Sequence, residues 1–273
     1  MSTTPAVLRV GILGAGSIGQ TLANALDHGR PGAMLAGLAD QDRERAETFA
    51  AGLTHPAPVL PLDELLDRSD LIVEAASQGA LIELVPKAIA RGKELLILSV
   101  GGLLGHEEWF RQAAESGCRI HVPSGAIAGL DGLKSARVGR LDLVTLTSRK
   151  PIAALRGAKY VVENGIDLDS FKEETVIFEG SPEEACRAFP TTSNVAASLR
   201  LAAGASAKIC VRVVAVPGGS ENVHEITAEG EFGRLRVLIE NVPSKANPRT
   251  SALAALSALA TLDGITGRVR IGT

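Results

Sequence analysis

The stretch Gly14-Ala15-Gly16-Ser17-Ile18-Gly19 follows an apolar run over residues 7–13 and opens a helical pattern that continues to about residue 27. Three glycines at G-x-G-x-x-G spacing meet three needs there: a tight turn, close approach of backbone to a pyrophosphate, and close packing of helix on strand. The pyrophosphate rests on free N–H groups at the positive end of the helix dipole. The spacing alone carries little weight in a chain with 29 glycines; the strand before it and the helix after it make it informative. The same fingerprint calls for an acidic residue about 20 positions on, at the end of the second strand. Asp40 closes the apolar run 34–39. Its carboxylate would accept hydrogen bonds from ribose hydroxyls and repel a 2′-phosphate, which favours NAD. Asp42 and Arg43 stand beside it, and an arginine there can accommodate NADP.

Downstream, strand and helix patterns alternate: helix 43–51, a short third strand 59–60, helix 62–67, strand 71–75, helix 81–90 with Pro86 inside it, strand 94–100, helix 107–116 and strand 119–122. Short buried strands separated by helices imply βαβ units and a parallel sheet, hence an N-terminal Rossmann dinucleotide-binding domain over residues 1–123. The loops Ala76-Ser77-Gln78-Gly79 and Ser99-Val100-Gly101-Gly102 leave the carboxyl edge of that sheet, where ligands bind in open α/β folds. Their small residues make Ala76 and Ser77 candidate cofactor contacts.

After Pro123 the pattern changes. A flexible segment, Ser124-Gly125-Ala126-Ile127-Ala128-Gly129, precedes a helix over 130–138, a strand over 141–148 and three further strands at 208–216, 222–227 and 234–242. In the last, Leu235, Val237 and Ile239 share one face while Arg234, Arg236 and Glu240 share the other, the period of an antiparallel sheet. Ser181-Pro182-Glu183-Glu184 has the form of a capped helix start. The expected architecture is α/β: the Rossmann domain, a second α/β domain over 124–244 with a mostly antiparallel sheet, and a C-terminal segment, 245–273, whose helix packs back on the first domain.

Composition narrows the function classes. Hydrophobic residues make up 45% and aromatics 3%, so the core is aliphatic, as suits a parallel sheet covered on both faces. Few aromatics and a net charge of -3 argue against nucleic acid or an anionic membrane as partner. Cys118, Cys186 and Cys210 are odd in number and dispersed, which is neither a disulfide framework nor a zinc site. The chain also lacks H-E-x-x-H and G-x-S-x-G, so neither a metal site nor acyl-transfer chemistry is expected. The N-terminus has no signal-peptide pattern, and no apolar run approaches the roughly 20 residues that cross a bilayer. The expected location is cytoplasmic.

Of the five histidines, His28, His55 and His106 fall at helix ends or in loops, and His121 lies near the domain junction. In Asn222-Val223-His224-Glu225-Ile226, alternation puts Asn222, His224 and Ile226 on one strand face. An imidazole there can serve proton transfer coupled to hydride transfer, or sit as a satisfied structural histidine. Lys134, Lys245 and Arg249 are candidate cations for an anionic substrate.

The strings GILGAGSIG, HVPSGAIAGLDGLKSA, TTSNVAASLRLAAG, NVHEI, GEFG and ENVPSKANPRTSALAALS, in this order along nearly the whole chain, resemble the L-aspartate dehydrogenase family. The resemblance implies oxidative deamination of L-aspartate through iminoaspartate to oxaloacetate and ammonia with NAD or NADP, the reverse amination, and a homodimer. It implies His224 as acid/base, Asn194 as a contact to the nicotinamide end, and Ala126 and Ala128 as cofactor contacts. The stretch 54–61 is the least family-like. A dehydrogenase of another small amino or oxo acid, or a dinucleotide-binding sensor without turnover, shares the same plan.

Overall fold

The computed structural model describes residues 7–190, 192–242 and 251–273. The chain forms two compact units, Met1–Pro123 with Ala255–Arg270, and Ser124–Ala254 with Ile271–Thr273. The first contains β1 (Leu8–Leu13), α1 (Ser17–Asp27), β2 (Ala33–Ala39), α2 (Arg43–Ala51), α3 (Leu62–Arg68), β3 (Leu71–Glu74), α4 (Leu81–Ala90), β4 (Glu94–Ile97), α5 (Glu107–Ser116) and β5 (Ile120–His121). Its strands are all parallel, in the order β2-β1-β3-β4-β5. Every residue of β3 is buried, as a central strand covered on both faces requires.

The third strand expected at 59–60 is a correction. Val59 makes one isolated parallel bridge to Leu38, supported by hydrogen bonds from Leu38 N to Pro58 O and from Leu60 N to Leu38 O. Pro58 and Pro61 flank it, and prolines lack the N–H a longer ladder would use. The strand order therefore reverses between β1 and β3, and the crevice at their carboxyl ends is where open α/β sheets bind ligands. Pro86 lies on the exposed face of α4, where water can satisfy the carbonyl it leaves without a partner.

The second unit contains α6 (Leu130–Ala136), β6 (Leu141–Pro151), α7 (Ile152–Leu155), α8 (Lys159–Glu163), β7 (Thr175–Gly180), α9 (Pro182–Ala188), α10 (Asn194–Ala203), β8 (Lys208–Val216), β9 (Asn222–Gly230) and β10 (Gly233–Asn241). Its sheet runs β10-β9-β6-β8-β7, antiparallel except for the β6–β8 pair. Val144, Leu146, Ile226 and Ala228 of the sheet pack with Leu133 of α6, Phe189 after α9 and Leu199 of α10 into one apolar core. Truncating such a leucine costs about 2–5 kcal/mol. Ser181 and Glu184 form the reciprocal capping box of α9. The last helix, α11 (Ala252–Thr266), contributes Ala258, Leu259 and Leu262 to the core of the first unit, beside Val10, Leu22 and Leu71. Among the described residues, no helix is long and apolar enough to cross a membrane.

Candidate active site

The glycine turn is shaped by what side chains would collide with. Gly14 has φ +104, and a Cβ there would lie 2.5 Å from Ala75 O; one on Gly19 would lie 1.8 Å from Gly14 O. These two glycines let the turn, the strand β3 exit and helix α1 touch. A Cβ on Gly16 meets nothing within 4 Å, so that glycine leaves open space rather than relieving a protein contact. Gly16 is the N-cap of α1 and no side chain caps it. Open space at an uncapped helix N-terminus, next to Ser17 and Ile18, is what a pyrophosphate needs. The residues present therefore fit a dinucleotide.

Asp40 is already engaged. Its Oδ2 accepts from Ala15 N at 2.6 Å, and its Oδ1 accepts from Asp42 N and Arg45 Nη2, both at 2.8 Å. Burial acts to raise its pKa, but the donations from Asp42, Ala15 and Arg45 outweigh that and hold it below the usual carboxylate value. One lone pair on Oδ2 remains for a further donor. The arginine beside Asp40 is Arg45; Arg43, singled out from the sequence, pairs with Glu47 instead.

The loops carrying Ala76 and Ser99 are tied together by Glu74, a fully buried carboxyl at the end of β3. It accepts from Ala76 N at 2.8 Å, Ser99 N at 2.9 Å and Ser99 Oγ at 2.8 Å. Burial raises its pKa against those donations. Ser77 Oγ caps the following turn by accepting from Ala80 N. Gly14, Gly16, Ser17, Ile18, Gly19, Asp40, Ala76 and Ser77 thus gather at one sheet edge.

In the second unit the inner sheet face changes character along its length. The β6–β9 rungs run Val144 opposite Ala228, Leu146 opposite Ile226, then Ser148 opposite His224. Beyond them on the same face come Lys150 on β6 and Asn222 on β9, with Asn241 of β10 opposite Asn222. All five polar residues are buried, His224 at 3% exposure and Lys150 at 7%. Ser148 Oγ and His224 Nδ1 share a hydrogen bond of 2.9 Å, and Asn241 Nδ2 donates to Ala126 O at 2.9 Å. Burial first, and the Lys150 charge second, push the His224 pKa down to about 3. Burial alone lowers Lys150 to about 8. A neutral imidazole held at one nitrogen by a hydroxyl leaves the other free to exchange a proton.

Residues 131–265 match the family described as aspartate dehydrogenase, C-terminal, and residues 14–123 match the NAD-binding domain of homoserine dehydrogenase. The chain is 46% identical to an L-aspartate dehydrogenase of Methanocella arvoryzae, covering 98% of this chain and 100% of that protein. It is 40% identical to one of Bradyrhizobium diazoefficiens, covering 99% and 96%. The solved aspartate dehydrogenase of Thermotoga maritima is similar in structure, with TM-score 0.72 and 27% identity over 97% of this chain and 99% of that one. The chain belongs to the L-aspartate dehydrogenase family.

As a member of that family it is an oxidoreductase that uses a nicotinamide dinucleotide. Within its second unit, Ala126 is brought to the polar sheet end through Asn241, while Ala128 is exposed in the same loop and Asn194 is the first residue of α10. Lys134 donates to Thr273 O; Lys245 and Arg249 lie outside the described residues. The remaining histidines are engaged elsewhere: His28 with Asn24 O, His55 with Asp27, His106 with Glu108 and His121 with Glu94. Sequence reading missed Glu74, Ser148 and Lys150. Parity along the expected strand reaches Ser148, and reaches Lys150 only because β6 runs on to Pro151, with Val144, Leu146, Ser148 and Lys150 at every second position.

Proposed function

We propose that the chain catalyses the oxidative deamination of L-aspartate, with water and NAD(P) consumed and oxaloacetate, ammonia and NAD(P)H formed, and the reverse amination. The observation that carries this reading is the buried Ser148–His224 pair at the polar end of an otherwise apolar sheet face, in a chain of this family. The bound nicotinamide supplies a hydride acceptor for Cα of the amino acid. His224 takes a proton from the substrate nitrogen and passes it to solvent, then takes one from the water that adds to iminoaspartate and returns it to the departing ammonia. Ser148 sets the tautomer: with Nδ1–H donated to Ser148 Oγ, Nε2 is the exchanging atom.

Gly14, Gly16, Ser17, Ile18 and Gly19 would hold the pyrophosphate and Asp40 the adenosine ribose, which favours NAD, while Arg45 admits NADP. Ala76, Ser77, Ala126, Ala128 and Asn194 are the remaining proposed cofactor contacts. Two copies would associate through the second sheet, whose outward face exposes Leu143 and Leu238 and one of whose two edge strands is β10. The test is NAD(P)H absorbance on adding L-aspartate at alkaline pH, against L-glutamate, L-alanine and L-malate. Oxidation of L-aspartate alone is expected; cofactor binding without oxidation of any of the four sinks the reading.

A further inference from the structure

Consecutive residues of β6 handle charge in opposite ways. Arg149, on the outward face, pairs with Glu174 and Glu225. Lys150, on the inward face, is buried, and no carboxylate among the described residues acts on its ammonium, whose pKa burial alone lowers to about 8. A buried cation without an anion is costly, and titratable groups perturbed in this way cluster at functional sites. The neighbouring strand adds an independent observation. Asn222, 3% exposed, has its Oδ1 buried with no hydrogen-bond partner among the described residues. The two unmet groups share one sheet face, next to the Ser148–His224 pair. One wants a negative charge and the other an N–H donor, and an amino acid with a carboxylate and an α-nitrogen offers both.

We propose that Lys150 binds a carboxylate of the substrate, with Asn222 Oδ1 accepting from its α-nitrogen, so that this sheet end selects dicarboxylates. The proposal rests on the L-aspartate reading above. An anion on Lys150 also removes the second of the two causes that depress His224, so substrate binding raises the basicity of the imidazole that must take its proton.

Lys150→Met keeps the volume and removes the charge. Assayed in the full chain, it should raise KM for L-aspartate and for oxaloacetate by roughly 10²-fold or more, because a buried charge partner is lost. The turnover number should stay within about fivefold, the signature of lost ground-state binding. Lys150→Arg, which retains a cation, should recover most of the affinity. Succinate, a dicarboxylate with no amine, is the turnover-independent probe: it should raise the melting temperature of the unaltered chain and not that of Lys150→Met. Unchanged KM in Lys150→Met overturns the proposal while leaving aspartate oxidation standing. A fall in turnover with KM unchanged, together with loss of one limb of the pH profile, also overturns it, by making Lys150 a proton carrier. If the unaltered chain oxidises no L-aspartate, the functional reading fails. The succinate shift then decides the lysine alone: a shift lost in Lys150→Met supports it, and no shift in the unaltered chain overturns it.

Discussion

The two units treat buried charge in contrasting ways. In the first, the carboxylates of Asp40 and Glu74 are met by donors from their own chain, Ala15, Asp42 and Arg45 for one and Ala76 and Ser99 for the other. In the second, among the described residues, no carboxylate acts on buried Lys150, and Asn222 Oδ1 is buried with no hydrogen-bond partner. A satisfied buried charge organises backbone, whereas an unsatisfied one stores an interaction for a ligand. The glycine edge is internally satisfied, and under the proposal above the polar sheet end draws its missing partners from a bound substrate.

The largest expected effect falls on the second unit. Replacing His224 with alanine should lower kcat by roughly 10²–10⁴ while NADH affinity, read by fluorescence, stays put. A variant with near-normal turnover removes the imidazole from the mechanism.

Next comes acid stability. The folded His224 titrates at about 3 against an ordinary value of 6.5. Between those pH values the unfolded chain binds a proton that the folded chain does not. Stability therefore rises with pH through this window, and acidification from 6.5 toward 3 removes it by up to ~1.4 kcal/mol per pH unit. Denaturant unfolding at a series of pH values should show this slope, and His224→Asn should flatten it.

Glu74 and Lys150 should then separate. Glu74→Gln leaves donors facing a weaker acceptor set and should cost about 1–3 kcal/mol. Lys150→Met should be neutral or stabilising, as for other buried charges replaced by apolar groups. Equal destabilisation by both would erase the contrast between the units. The smallest effect on the fold belongs to Gly16→Ala, whose Cβ meets no protein atom. It should melt with the parent yet bind NADH at least about tenfold more weakly, ~1.4 kcal/mol.

The glycine turn and the parallel strands could be read from sequence because their signals are local: a strand, three spaced glycines, a helix, an acid. Helix α10 escaped because Val195, Ala196, Ala197, Ser198 and Leu199 are all buried, and a helix covered on nearly every side has no amphipathic period. Strand β7 escaped because it is short and carries a register shift between Val176 and Phe178. Lys150 escaped because strand β6 was expected to end at residue 148, and Ser-Arg-Lys reads as a solvated end. The ladder runs to Pro151, and those extra residues bring the lysine onto the buried face. Pairing across 76 residues, as between Ser148 and His224, has no local signature.

The hydrogen bond from Ala15 N to Asp40 Oδ2 bears on how this enzyme could change over evolutionary time. Altering position 40 is the direct route to a different taste in dinucleotide, since the carboxylate is what would repel a 2′-phosphate. Here the same carboxylate also anchors the turn between β1 and α1. A substitution at position 40 would strip that turn of its anchor, so a change of preference made there would call for a second change that restores it. Arg45, already against Asp40, is where a laboratory lineage selected for the phosphorylated cofactor would be expected to compensate.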